Sequence, residues 1–255
     1  MSASGAPTAF AAPAPRRPGA LARLYGRRWG VLPPLTAVGM FAMIAGAVIA
    51  APREIVEGEV QRLMYIHVPS AWSAYLSFTI VFVASIVVLW RRDMRWDAVA
   101  RGAAAVGVLF TALTLATGAI WGRPIWGVYW TWDARLTATL VLLLIFSVYL
   151  LARSVAGPND EQGARYAAVF AIIGFLDIPL IHMSVNWWRT LHPQPLIVRP
   201  LDRPALPGEM LLVLVISALA ISLLALWLIS LQAHAERLGQ RAQSLQARID
   251  RGERG

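Results

Sequence analysis

Six long apolar runs constrain this chain more than any other feature, because stretches of hydrocarbon that long have few stable arrangements in water. They lie near residues 31–51, 71–90, 102–120, 136–151, 166–183 and 210–231, each flanked by arginine, proline or acidic residues. Runs of about 17–25 apolar residues have the length at which one helix crosses a hydrocarbon layer about 30 Å thick. A backbone inside lipid must satisfy its own hydrogen bonds, and a helix does so within one segment. The pattern predicts an all-α integral membrane protein, a bundle of six transmembrane helices. Composition agrees, since 58% of the 255 residues are hydrophobic and the mean hydropathy is +0.58, more apolar surface than a soluble core of this size can hide.

The formal charge of +9 sorts the two faces of a membrane instead of marking a nucleic-acid groove, because the arginines are scattered between the apolar runs. With the N-terminus inside, Arg16, Arg17, Arg23, Arg27, Arg28, Arg91, Arg92, Arg95, Arg101, Arg153, Arg165, Arg237, Arg241, Arg248, Arg251 and Arg254 fall on the cytoplasmic side. The opposite side receives only Arg53, Arg62, Arg123, Arg135, Arg189, Arg199 and Arg203. The positive-inside rule then places both termini in the cytoplasm and the first, third and fifth connections outside. The basic segment before the first run also fits the start of a signal peptide. That run is long enough to span, however, so a retained anchor is expected.

Two absences narrow the chemistry. There is no cysteine, hence no disulfide, thiol redox pair or thioether attachment. There is no lysine either, so neither a P-loop lysine nor a Schiff base can exist here, and any ATP would be bound by another subunit.

Along the chain, residues 1–30 read as a disordered, basic cytoplasmic N-terminus, 31–231 as the membrane domain and 232–255 as a cytoplasmic amphipathic helix. In that last segment Leu231, Ala235, Leu238, Ala242, Leu245 and Ile249 recur at steps of four and three, a stripe that either extends the last helix or docks a partner. Residues 52–70 suggest an interfacial helix that brings His67 to the mouth of the second span, with Pro69 placed where a new helix starts. The inner connections, RRDMRWDAVAR and ARSVAGPNDEQGAR, read as tight turns without chemistry. The last outer connection carries Pro193, Pro195, Pro200, Pro204 and Pro207, which exclude a long helix. There is no internal repeat, Walker motif, glycine-rich nucleotide loop or metalloprotease histidine pair.

Chemistry concentrates on the outer face. The segment WGRPIWGVYWTWDARLT, residues 121–137, gathers Trp121, Trp126, Trp130 and Trp132 with Tyr129, in what reads as a loop broken by Gly122, Pro124 and Gly127. Two readings stand at this point: an aromatic belt at the headgroups, or a platform for a planar ligand. In the second, Arg123 and Arg135 meet acidic groups on the ligand, while Asp133 caps the fourth helix in either case. Of the four histidines, His234 falls in the cytoplasmic tail and His182 at the outer end of the fifth span. His67 in YIHVPSAW and His192 in NWWRTLHPQP lie in outer connections beside aromatics. Two imidazoles from separate segments, with a tryptophan floor, suit the axial ligation of a flat metal macrocycle such as haem. Asp177, in GFLDIPLIH, is an acid inside an apolar span, where such residues are rare; with Pro179 nearby it marks either a kinked, water-accessible segment or a functional group.

Three motifs in this order, YIHVPSAW before the second span, WGRPIWGVYWTWDARLT between the third and fourth, and SVNWWRTLH after the fifth, resemble those of the haem exporter protein C family, CcmC, with its tryptophan-rich WWD motif. The resemblance runs from about residue 31 to 231. It implies an inner-membrane subunit of c-type cytochrome maturation, not an enzyme, which works beside the ABC transporter proteins CcmA and CcmB and the small membrane subunit CcmD and delivers haem to the chaperone CcmE. On that pattern His67 and His192 are the axial ligands of haem b, and Trp121, Trp126, Trp130, Trp132 and Asp133 form the platform, joined by Arg123 and Arg135. One departure is the run His192-Pro193-Gln194-Pro195, where the family commonly has glutamine after the histidine; it keeps His182 as a substitute ligand. Two rival readings are a transporter that passes haem through its helical bundle and a structural subunit whose tryptophans only anchor it.

Overall fold

The computed structural model describes residues 20–192 and 206–252, without the side chains of residues 20–29. Expectations for the first nineteen residues and for the proline-rich stretch 193–205 lie outside it. Among the described residues the elements are all helical: α1 (Ala20–Ala45), α2 (Met64–Arg91), α3 (Met94–Trp126), α4 (Ala134–Ala156), α5 (Glu161–Phe175), α6 (Asp177–Trp187) and α7 (Gly208–Asp250). Six stretches are long and apolar enough to cross a membrane: Gly30–Ala50, Glu59–Arg91, Met94–Trp126, Ala134–Ala156, Glu161–Trp187 and Gly208–Asp250. The expected all-α bundle of six spans is what forms, and the chain is a multi-pass membrane protein.

The helices extend well past their apolar runs. α1 begins at Ala20, inside the basic segment, and relaxes into a π-helical turn at Gly46–Ala50. The connection 52–63 contains no interfacial α-helix, only a tight turn and a 3-10 turn at Glu59–Leu63. Pro69 does not start α2 but lies inside it, one and a half turns from its start, where its missing N–H leaves the Tyr65 carbonyl without that helical donor. α3 continues through Trp121, Gly122, Arg123 and Pro124 to Trp126. The predicted loop at 121–127 is thus the last turn and a half of a helix, and only 127–133 is loop. Gly127 is the stop signal: at φ +78 its amide donates back to the Arg123 carbonyl, a left-handed cap that glycine adopts without strain. The expected break near Asp177 is present, as α5 ends at Phe175 and α6 starts at Asp177; Pro179 has no N–H to donate to the Phe175 carbonyl, and its ring crowds that carbonyl. α7 runs unbroken for 43 residues, and past the bundle it leaves Leu238, Leu245 and Ile249 exposed.

In lipid, helices associate through close packing, and small residues let their backbones approach. A Cβ at Gly102 would come within 2.7 Å of the Ala233 backbone nitrogen on α7, one at Gly107 within 2.5 Å of Phe78 on α2, and one at Gly174 within 2.5 Å of Ile145 on α4. Phe78 and Phe146 stack at 3.9 Å in the centre. At the end where α3 begins, the bundle is closed by charge. Arg153 of α4 is fully buried and grips Asp97 of α3 through Nε to Oδ1 at 3.1 Å and Nη2 to Oδ2 at 2.8 Å. The two inner connections, which read as plain turns, each supply one member of this pair, Asp97 from RRDMRWDAVAR and Arg153 from ARSVAGPNDEQGAR, so Arg153 is not the surface arginine that topology alone suggests.

Candidate functional site

The other end of the bundle assembles the residues singled out in the sequence. α2 supplies His67 from its first turn, α3 supplies Trp121 and Trp126 from its last, and the segment after α6 supplies His192. The imidazoles of His67 and His192 come together with centroids 6.4 Å apart and planes inclined by 34°. Trp121 stands edge-on to His67 at 5.7 Å and 78°, and Trp126 lies 6.5 Å from His192. Four rings from three segments therefore enclose one spot, although His67 and His192 are 125 positions apart in the chain.

The second ring nitrogen of each histidine has a defined partner. His67 Nδ1 lies 3.1 Å from Thr117 Oγ1, whose own proton goes to the Leu113 carbonyl at 2.7 Å. The threonine oxygen therefore accepts from His67 Nδ1–H, which leaves Nε2 with a bare lone pair, the arrangement of a metal-ligating histidine. His192 Nδ1 lies 3.0 Å from Arg135 Nη1. A guanidinium only donates, so here Nδ1 accepts.

The remaining residues sort differently. Asp133 caps α4 as expected, its Oδ1 accepting from the amides of Arg135 and Leu136 while Oδ2 accepts from Thr131 Oγ1. Trp130 and Trp132 contact each other edge-on at 5.5 Å, and Trp132 is 77% exposed. Arg123 lies over the Tyr129 ring at 5.7 Å. His182 is exposed on α6, outside this set of ring contacts. Asp177 keeps a buried carboxylate oxygen, Oδ2, without a hydrogen bond.

Several contributors carry no signal in the sequence. Gly118 lets His67 lie against α3, because a Cβ there would sit 2.9 Å from His67 Cε1. Gly122, one turn on, makes room for Trp126, whose Cε3 a Cβ would meet at 2.8 Å. The two glycines thus cut a notch in the face of α3 for a histidine and a tryptophan, and Gly122 is a packing residue of the helix, not a loop breaker. Thr117 and Glu57, the latter accepting from Trp121 Nε1 at 2.9 Å, complete the surroundings.

Among the described residues no group of three or more histidine, cysteine, aspartate or glutamate side chains is placed to hold a metal ion. Two imidazoles alone make a poor site for a bare transition ion. They suit a metal that brings its own equatorial donors.

Comparison with known proteins follows the same line. The family model described as Heme exporter protein C matches residues 14–248. The chain is 38% identical over 220 residues to Heme exporter protein C of Bradyrhizobium diazoefficiens, covering 85% of this chain and 82% of that protein. It is 34% identical over 222 residues to that of Haemophilus influenzae, covering 87% and 89%. With the Escherichia coli K12 protein of the same name it shares 41% identity over 143 residues, 56% and 58% of the two chains. With six spans, two facing imidazoles and a match over nearly its whole length, the chain belongs to the Heme exporter protein C family.

Proposed function

We propose that this protein binds haem b between His67 and His192 at the periplasmic face of a bacterial inner membrane and hands it to the haem chaperone CcmE, for the maturation of c-type cytochromes. The single observation that carries the reading is the histidine pair. Metal–imidazole bonds of about 2.0–2.1 Å, plus roughly 1.1 Å from nitrogen to ring centre on each side, give about 6.3 Å between imidazoles that share one ion. The separation in the protein is 6.4 Å. On this reading Nε2 is the ligating atom on each ring: His67 turns Nδ1 to Thr117, and His192 turns Nδ1 to Arg135, from which it must be released before it ligates.

Haem, when bound, supplies the iron and the reactive vinyl groups; the chain supplies ligation, walls and orientation. Trp121 and Trp126 flank the histidines, and Trp130 and Trp132 extend the aromatic surface toward the exposed rim, where a chaperone has access. Arg135 must release His192 Nδ1 so that the ring proton moves there and bares Nε2. A carboxylate is the natural competitor for that guanidinium, and haem carries two. CcmA and CcmB as the ATP-driven pair and CcmD as a small membrane subunit complete the assembly on this reading, with both termini of the chain in the cytoplasm.

Passage of haem through the bundle is the weaker alternative, because the centre is filled by stacked Phe78 and Phe146 and by alanine-lined helix contacts. The test is the absorption spectrum of the protein purified in its complex. His67→Ala and His192→Ala should each abolish the haem Soret band at unchanged protein level, while His182→Ala keeps it. Retention of the band in both of the first two variants would leave the tryptophans as membrane anchors only.

A further inference from the structure

Glu57 sits in the short connection between the first two spans, outside every motif that marks the site. Its carboxylate Oε2 accepts a hydrogen bond from Trp121 Nε1 at 2.9 Å across 64 positions of sequence. Trp121 is the ring that meets His67 edge-on. We propose that Glu57 is a positioning residue that fixes the Trp121 indole against His67 and so makes the connection 52–63 one wall of the haem site. The inference rests on the reading of His67 as a ligand.

An indole turns about two side-chain torsions and has one polar atom, its N–H. A half-buried N–H with a charged acceptor in place loses that interaction in any other rotamer, so the acceptor selects the orientation. Selection works only if the acceptor is itself held, and it is. The Glu54 carboxylate accepts from the amides of Val56 and Glu57, and the Gly58 amide closes the turn onto the Glu54 carbonyl at 3.1 Å. Gly58 makes this possible at φ +64, in the left-handed region. Arg62 then ties the connection to the end of the first span, donating from Nη1 to the carbonyls of Ala47 and Ala51 while Nε pairs with Glu59 at 2.5 Å. Ile55 and Val56, at the tip, are 98% and 88% exposed, so the turn is braced by these polar contacts and not by burial of its apolar residues. A turn braced at both ends thus presents one carboxylate to one indole.

The test uses the full-length protein in detergent, titrated with ferric haem and followed by the Soret band, for wild type, Glu57→Ala, Glu57→Gln, Trp121→Phe and the Glu57→Ala/Trp121→Phe double variant. Glu57→Ala should weaken haem binding about tenfold, the low end of the range for groups that orient a metal's surroundings. Glu57→Gln keeps an oxygen acceptor and should stay within about twofold of wild type. In the Trp121→Phe background Glu57→Ala should cost nothing further. An equal loss in Glu57→Gln and Glu57→Ala, or additive losses in the double variant, overturns the proposal. A readout free of haem accompanies it: the indole N–H hydrogen-bonding signal in ultraviolet resonance Raman difference spectra against Trp121→Phe. That signal should shift in Glu57→Ala and not in Glu57→Gln; no shift in Glu57→Ala overturns the contact itself. If wild type takes up no haem, the histidine reading falls and the wall falls with it, whatever the indole signal reports.

Discussion

The two ends of the bundle handle polar groups in opposite ways. At the end where α3 begins, charges are buried and paired: Asp97 with Arg153, both at most 2% exposed, and beside them Arg101 with Glu236 at 3.0 Å. The helices there are also stitched to α7 by Gln240, which donates to the Met94 carbonyl and accepts from Asn159 through its own, both at 3.0 Å. At the tryptophan-rich end the two histidines meet a hydroxyl, a guanidinium and aromatic rings instead of opposite charges. His67 and His192 each use Nδ1 within the protein, and around them Trp132, Tyr129, Trp187 and Trp188 are more than half exposed. The difference is that between a clamp and a socket. The first end locks its helices together through buried ion pairs; the second gathers its rings around His67 and His192 and leaves aromatic faces exposed.

The largest expected effect tests the clamp. Removing one partner of a buried ion pair strands the other charge, at a cost of about 3–5 kcal/mol. Asp97→Leu alone should therefore lower stability by about that much, measured by denaturant unfolding in detergent micelles with helicity as the signal. Asp97→Leu with Arg153→Met replaces the pair by apolar side chains and should recover most of the loss. Haem bound per folded molecule should stay at the wild-type value in both. A fall in that ratio would mean that the two ends are energetically coupled, and the division into clamp and socket would be wrong.

One substitution made at both ends sharpens the contrast. At Gly102 a methyl group meets the backbone of α7, and a helix must move; overpacking of this kind costs about 1–3 kcal/mol. At Gly118 the methyl meets Cε1 of a side-chain ring, which can rotate at a cost of roughly 0.5–1.5 kcal/mol. Gly102→Ala should thus lower the unfolding midpoint and leave haem affinity alone. Gly118→Ala should lower the midpoint less than Gly102→Ala does and weaken haem binding several-fold. If Gly118→Ala leaves haem binding unchanged, the notch in α3 is ordinary helix packing.

The legibility of these features in the sequence follows from how local their causes are. Spans are written in hydropathy, and Asp133 is a capping residue directly before the helix it caps, so both were readable. The histidine pair was readable as residue types sharing a face, though its 6.4 Å separation required the fold. The end of α3 was misplaced because Gly122 and Pro124 are helix breakers by propensity. Pro124 is nevertheless tolerated in the last turn, and Gly122 is needed there for Trp126. Asp97 and Arg153 escaped notice because arginines near span ends ordinarily report topology, and the partner is 56 positions away. Glu57, Thr117 and Gly118 are common residues whose roles exist only through a ring delivered by another segment.

Thr117 offers the most specific effect. It shares its helix face with Gly118 and Trp121, and its oxygen lies 3.1 Å from His67 Nδ1, where it receives the ring proton. Most of the buried hydroxyls of α2 and α3, among them Ser70, Ser77, Thr111 and Thr114, simply return their proton to a carbonyl one turn back. Valine at 117 keeps the shape of threonine and removes the acceptor, so His67 is free to place its proton on Nε2, where it blocks ligation. Groups that orient a metal-ligating histidine are worth about 10–100-fold in metal affinity, and a neutral acceptor belongs near the lower limit. Thr117→Val should therefore weaken haem about tenfold, or about 1.4 kcal/mol, with no change in unfolding midpoint. Thr117→Ser, which keeps the oxygen, should restore binding. If serine fails where threonine succeeds, the methyl group and not the hydroxyl is what His67 needs, and the tautomer has no part in preparing the socket.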